Sequence, residues 1–137
     1  LFHSVYNLAW ERVVEYFKSD SSTVYSLVEG NHDIMDEEQY RRAGILHRGL
    51  VFEKGGFLFA HDRIDNLPDD IYGVFGHIHP GVNLRGQGRQ TMTLPCFCFR
   101  EDHLLMPAFG AFTGLAKIRP NESDDVYVIA DGQLVPF

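Results

Sequence analysis

Val5, Leu8, Ala9, Val13 and Phe17 recur at near-helical spacing, with Glu11, Arg12 and Glu15 on the opposite face and Ser4 where an N-cap belongs. The pattern predicts a helix over residues 4–18. Ser19-Asp20-Ser21-Ser22 is a loop, and residues 23–28 read as a buried strand stopped by Gly30. Residues 36–43 run from acidic to basic, an order that suits the helix dipole, and predict a short helix closed by Gly44. Beyond that point the period becomes that of strands. Residues 50–52 and 57–60 flank Lys54-Gly55-Gly56, a hairpin signal. Residues 72–75, 82–84, 91–99 and 104–106 are further strand candidates, separated by Gly86-Gln87-Gly88 and by Glu101-Asp102. Residues 126–130 and 133–135 flank Asp131-Gly132 as a last hairpin. A helix–strand start followed by many strands predicts a layered α/β domain with a largely antiparallel later sheet.

Composition narrows the class. The chain has 137 residues, read as a single domain over residues 1–137 with a core of its own. Hydrophobic residues make up 45% and charged residues 23%, a soluble globular balance. No apolar run approaches the ~20 residues that cross a bilayer, so no membrane association is expected. No basic n-region and small-residue cleavage site of a signal peptide stand at the start. Cys96 and Cys98 lie two apart on one strand, poorly placed for a disulfide, which makes a reducing cytoplasm the expected location. A formal charge of −7 argues against holding nucleic acid by bulk electrostatics. It leaves room for a metal site that acts on phosphate, because bound divalent ions neutralise nearby carboxylates.

The chemistry sits at the ends of the apolar runs. Gly30-Asn31-His32-Asp33 follows residues 25–28, His61 follows residues 57–60, and Gly76-His77-Ile78-His79 follows residues 72–75. This spacing is expected to put amide and imidazole side chains at the ends of neighbouring strands, where α/β sheets build their sites. Phosphoester hydrolysis needs a nucleophile made from water, a clamp on the phosphoryl oxygens and a proton for the leaving oxygen. Two divalent ions supply the first two, and a His that binds no metal supplies the third. Asn31, His61, His77 and His79 offer donors suited to borderline ions such as Mn, Fe, Zn or Ni, and His32 is the candidate acid.

These motifs resemble those of the calcineurin-like metallophosphoesterases. The resemblance implies that Asn31, His61 and His77 ligate one ion, that His79 ligates a second, and that His32 acts on the leaving group and phosphate. His77-Ile78-His79-Pro80-Gly81, Leu84-Arg85-Gly86, Leu94-Pro95-Cys96-Phe97 and residues 105–114 are similar to the ligase-associated DNA damage response endonuclease branch. The fold implied by this resemblance is a layered metallophosphoesterase-type β-sandwich flanked by helices, lacking its first strands. The implied cofactors are two divalent metal ions, with Mn first and Fe, Zn or Ni as alternatives. The implied substrate is a phosphoester, DNA for this branch, with DNA ligase or helicase repair proteins as partners.

The family's Asp-x-His and Gly-Asp motifs have no counterpart here, and Leu1-Phe2-His3-Ser4 resembles the residues just after that Gly-Asp. The bridging carboxylate and two ligands of the first ion are therefore expected upstream, and this chain alone is expected to bind one ion weakly and hydrolyse little. His3, Asp33 and Arg85 are candidates for supporting a ligand or contacting the substrate. A phosphatase or phosphodiesterase for small nucleotides, and an inactive scaffold of the same fold, are the rival readings.

Plainer roles apply elsewhere. Asp62 reads as a loop carboxylate, and His47 and His103 as surface residues. Cys96 and Cys98 read as core packing rather than thiolate ligands. Arg85 and Arg89 flank a Gly-Gln-Gly tip that either touches a phosphate backbone or is simply solvated. The aromatic stretch 109–112 either packs in the core or stacks bases, with core packing expected.

Overall fold

The structure is a computed structural model that describes residues 9–33, 35–86, 88, 90–110 and 113–137. It divides into two compact units, Leu1–Phe52 and Glu53–Phe137.

In the first unit, α1 (Ala9–Ser19) presents Trp10 and Val14 to a core shared with Tyr40, Ala43 and Ile45. Val13 and Phe17 pack against it, while Glu11 and Glu15 stay exposed, as the spacing predicts. Ser4, Val5 and Leu8 lie outside the described residues. β1 (Tyr25–Leu27) is shorter than expected and only half-buried. It is followed by α2 (Glu37–Arg42), whose N-cap Asp36 accepts the Gln39 N–H at 3.0 Å. Gly44, at φ 76°, turns the chain out of α2 in the left-handed conformation that glycine adopts without steric cost. β2 (Ile45–His47) pairs with β1 in parallel, Tyr25 opposite Ile45. Three residues are too few to show a period, which is why β2 escapes sequence reading.

β3 (Val51–Lys54) crosses the boundary between the units and opens the hairpin with β4 (Phe57–Ala60). Gly55 and Gly56 both have positive φ, 62° and 79°, as the favoured two-residue hairpin turn demands. The second unit continues with β5 (Tyr72–Phe75), β6 (Pro80–Arg85), β7 (Thr91–Phe99) and β8 (His103–Leu105). It ends with β9 (Ala116–Lys117), β10 (Asp125–Ala130) and β11 (Gln133–Pro136). The large sheet has the order β11-β10-β7-β8-β5-β4-β3, with β6 joined to β7 and β9 joined to β6.

This is a mixed α/β chain with a large multi-stranded sheet and few helices among the described residues, the class the sequence predicts. The sheet is less antiparallel than expected. β4–β5 and β5–β8 are parallel, while antiparallel pairing joins β8 to β7 and runs on through β10 to β11. Parallel neighbours require a crossover, and residues 61–71 between β4 and β5 provide one.

One sheet face carries the core of this unit: Ala60, Phe75, Cys96, Cys98, Val126 and Val128. Cys96 and Cys98 are fully buried, which confirms them as packing residues. Desolvation pushes the Cys96 thiol up to about 11. His103 is a correction to its surface reading: it is 1% exposed, with Nδ1 2.6 Å from Asp102 Oδ1. As the first residue of β8 it shares a face with Leu105, so strand alternation turns it inward. His47 is likewise not a plain surface residue, since its ring stacks on Tyr40 and its Nε2 meets Glu29 Oε2 at 3.1 Å. Phe109, expected in the core, is 92% exposed, and Phe112 lies outside the described residues. Among the described residues no helix is long and apolar enough to cross a membrane.

Candidate metal centre

The register of two parallel strands builds the centre. β4 and β5 pair with Ala60 opposite Phe75, and the ladder extends one step further through the Gly76 N–H, which donates to the His61 carbonyl at 3.1 Å. His61 and the Gly76-His77 pair therefore leave the sheet together, at the C-terminal ends of both strands. In a regular strand, alternation would send His77 to the same face as Phe75, away from His61. His77 instead has φ 54°, and the Ile78 N–H closes onto the Gly76 carbonyl at 2.7 Å. That three-residue turn, in its positive-φ form, is rare and strained. It breaks the alternation and brings His77 Nδ1 to 2.9 Å from His61 Nε2, the rings edge to face with centroids 4.8 Å apart.

His79 repeats the strain with φ 51°. Two of the four described non-glycine residues with positive φ thus fall inside one four-residue motif. Such positions cost of order 1–3 kcal/mol each and concentrate at functional sites, although His tolerates the left-handed region better than most residues.

Asp62 completes a cluster. One ligand atom from each of His61, Asp62 and His77 lies within 4.8 Å of the others, and Asp62 Oδ1 stands 3.7 Å from His77 Nε2. Two imidazole nitrogens bound to one ion at about 2.1 Å lie roughly 2.9–3.4 Å apart, a range that includes the observed separation. Two imidazole nitrogens suit a borderline divalent ion, with the Asp62 carboxylate beside them. The His61 and His77 nitrogens would fit one divalent ion. Sequence reasoning set Asp62 aside as a loop carboxylate; its adjacency to a candidate ligand was the signal available.

The other candidate residues have settings of their own. His79 is outside the three-residue cluster; its Nδ1 lies 3.2 Å from the Gly114 carbonyl, and its own carbonyl accepts the Ala116 N–H at 3.0 Å. Asn31 and His32 belong to the first unit, as the exposed central residues of a turn after β1. Asp33 fastens that turn at both ends: its N–H donates to the Gly30 carbonyl and its Oδ2 accepts the Gly30 N–H, each at 3.0 Å. Asp33 thus fixes the backbone turn that carries the two candidate side chains. The ladder partner of β1 is β2, while β4 and β5 pair with one another, so the expectation of neighbouring strand ends is met for His61 and His77. Arg85 ends β6, and five residues of strand put its Cα about 17 Å from that of Pro80, too far for it to support His79. His3 and Arg89 lie outside the described residues.

A cavity of about 480 Å³ lies at the opposite, N-terminal ends of β4, β5 and β8, lined among others by Gly56, Asp70, Tyr72, Glu101 and Asp102. Its carboxylates would repel an anionic ester. The chemistry of the donor set favours the strand ends that carry His61 and His77.

The chain is similar to a crystal structure of the Pseudomonas putida nuclease MPE, with a TM-score of 0.72 and 27% sequence identity. The match covers 93% of this chain and 60% of that one, so this chain spans less than two thirds of that protein's length. No protein-family model and no curated protein sequence matches the chain.

Proposed function

We propose that this chain carries part of a metal-dependent phosphoester hydrolase centre of the calcineurin-like type, acting on nucleic acid. The observation that carries the reading is the meeting of His61 Nε2 and His77 Nδ1 at 2.9 Å, beside Asp62 and at the ends of parallel neighbouring strands. Its likeness to a structure described as a nuclease supports the substrate class.

In this reading His61 and His77 hold one divalent ion and His79 contributes to a second, Mn being the first choice and Fe, Zn or Ni the alternatives. When bound, the ions supply a hydroxide at neutral pH and charge neutralisation at the phosphoryl oxygens. Asn31 supplies an amide oxygen, and His32 protonates the leaving oxygen; both assignments rest on the Gly30-Asn31-His32-Asp33 motif. The branch resemblance suggests work in DNA repair alongside a ligase or helicase, and the placement of Cys96 and Cys98 suggests a reducing cytoplasm.

The test is a calorimetric Mn²⁺ titration of the chain and of His61→Ala and His77→Ala, paired with single-turnover cleavage of single-stranded DNA, bis(p-nitrophenyl) phosphate and cyclic nucleotides. Expected are Mn²⁺ binding that either substitution abolishes and cleavage that favours DNA. Binding that survives both substitutions would refute the centre. Preference for cyclic nucleotides would move the reading to small-molecule phosphodiesterase chemistry.

A further inference from the structure

We infer that Asp62 is the positioning residue of this centre: its carboxylate takes the Nε2 hydrogen of His77 and so aims the Nδ1 lone pair at the ion shared with His61. The inference rests on the metal-centre reading above.

Two ring nitrogens that face each other at 2.9 Å cannot both carry hydrogens. A neutral imidazole keeps its single hydrogen on one nitrogen, and the partner of the other nitrogen decides which. An ionised carboxylate only accepts, so Asp62 Oδ1 on the Nε2 side of His77 favours the Nε2–H tautomer. Nδ1, the atom that faces His61 Nε2, is then the one with a free lone pair. Metal-bound imidazoles commonly present their second N–H to a carboxylate in this way, which fixes the ring and raises its basicity.

The present separation, 3.7 Å, exceeds a hydrogen bond by about 0.8 Å. The Asp62 side chain is 73% exposed, so a change of rotamer closes the gap without disturbing the core. The strained backbone gives the arrangement its purpose. His77 is held in a left-handed turn that brings its ring to His61, and that turn leaves the ring's rotation and tautomer to be set from outside. Direct ligation by Asp62 is the competing geometry. It would require the carboxylate to reach the ion on the Nδ1 side of the ring, whereas its close approach is to Nε2.

The experiment uses the full chain, labelled with ¹⁵N-histidine, and titrates Zn²⁺ as a diamagnetic probe while long-range ¹H–¹⁵N spectra report the state of each ring nitrogen. In the native chain His77 Nε2 stays protonated and Nδ1 takes the metal-bound shift. Asp62→Ala weakens Zn²⁺ binding about 10- to 100-fold and leaves His77 in mixed tautomers. Asp62→Asn, whose amide oxygen still accepts an N–H, restores the tautomer and most of the affinity. Amide spectra away from the site stay unchanged, because the residue removed is exposed. Zinc on His77 Nε2, or Asp62→Ala with native affinity and a native tautomer, overturns the inference. A native chain in which neither His61 nor His77 responds to Zn²⁺ refutes the metal centre itself, and the role of Asp62 with it.

Discussion

Gly73→Ala tests whether packing inside β5 sets the position of the centre at that strand's end. A Cβ built on Gly73 would stand 2.5 Å from Phe75 Cζ and 2.9 Å from Leu67 Cδ1, closer than real Cβ contacts come. Gly73 and Phe75 project from the same face of β5, and the Phe75 ring leans back over the glycine. That ring has little room to step aside: Phe75 is 1% exposed and also packs against His103, centroids 5.7 Å apart. Overpacking of this kind costs about 1–3 kcal/mol, and the usual gain from replacing a strand glycine by alanine, about 0.5–1 kcal/mol, offsets part of it. The net expectation is a loss of about 1–2 kcal/mol in urea unfolding. The decisive measurement is a double-mutant cycle with Phe75→Leu, whose smaller side chain vacates the space the methyl needs. Gly73→Ala should cost clearly less in the Phe75→Leu background, a coupling above about 0.5 kcal/mol. Strictly additive losses would refute the steric account. Because Phe75 precedes His77 by two residues, Mn²⁺ affinity should fall in the single variant as well.

Four further outcomes are expected. Cys96, buried with its thiol at about 11, should resist a thiol reagent at pH 8 in the native chain and react on unfolding; fast native reaction would contradict the burial. The same shift has a sign in stability. The unfolded thiol loses its proton near 9.0 and the folded one near 11, so the contribution is complete below pH 9 and is lost as pH rises toward 11. Urea unfolding of native and Cys96→Ala chains across that window should show the native chain losing stability more steeply, and parallel curves would exclude it. Under the proposed mechanism, His32→Ala should lower the single-turnover cleavage rate about 10²- to 10⁴-fold with Mn²⁺ affinity unchanged, and an unchanged rate would remove His32 from the chemistry. Asp33→Ala should cost about 1 kcal/mol and speed hydrogen exchange at the Gly30 amide, whereas Asp33→Asn, which keeps an acceptor, should recover much of both. Equal exchange rates in all three chains would show that the side chain does not hold the turn.

Long or well-punctuated elements were legible in the sequence, and short or context-dependent ones were not. β7 and the two hairpins announce themselves through β-branched and aromatic runs closed by Gly55-Gly56 and Asp131-Gly132. α2 announces itself through Asp36, its charge order and Gly44. β2 and β9, with three and two residues, carry no period at all and exist because a neighbouring strand offers an edge. The parallel pairing of β4, β5 and β8 was equally invisible, since a residue pattern records which face is buried and not which way the partner runs. His103 went astray for a related reason: its polarity suggests solvent, but its place in the β8 alternation makes it a core position.

For the candidate centre, the sequence supplied ligand types while backbone conformation supplied their meeting. His61 and His77 were named from their motifs, yet a regular strand would have turned them to opposite faces. The local break is the left-handed turn at His77, a conformation that an imidazole tolerates and that a β-branched residue would resist. Because alternation must be broken for the rings to meet, the strain at His77 is a requirement of the site rather than a by-product of it. The same logic accounts for Asp62. A residue directly after a strand-end ligand is free of the ladder, so its carboxylate can swing to the outer nitrogen of the neighbouring ring, a role that side-chain type alone could never distinguish from that of any other loop aspartate.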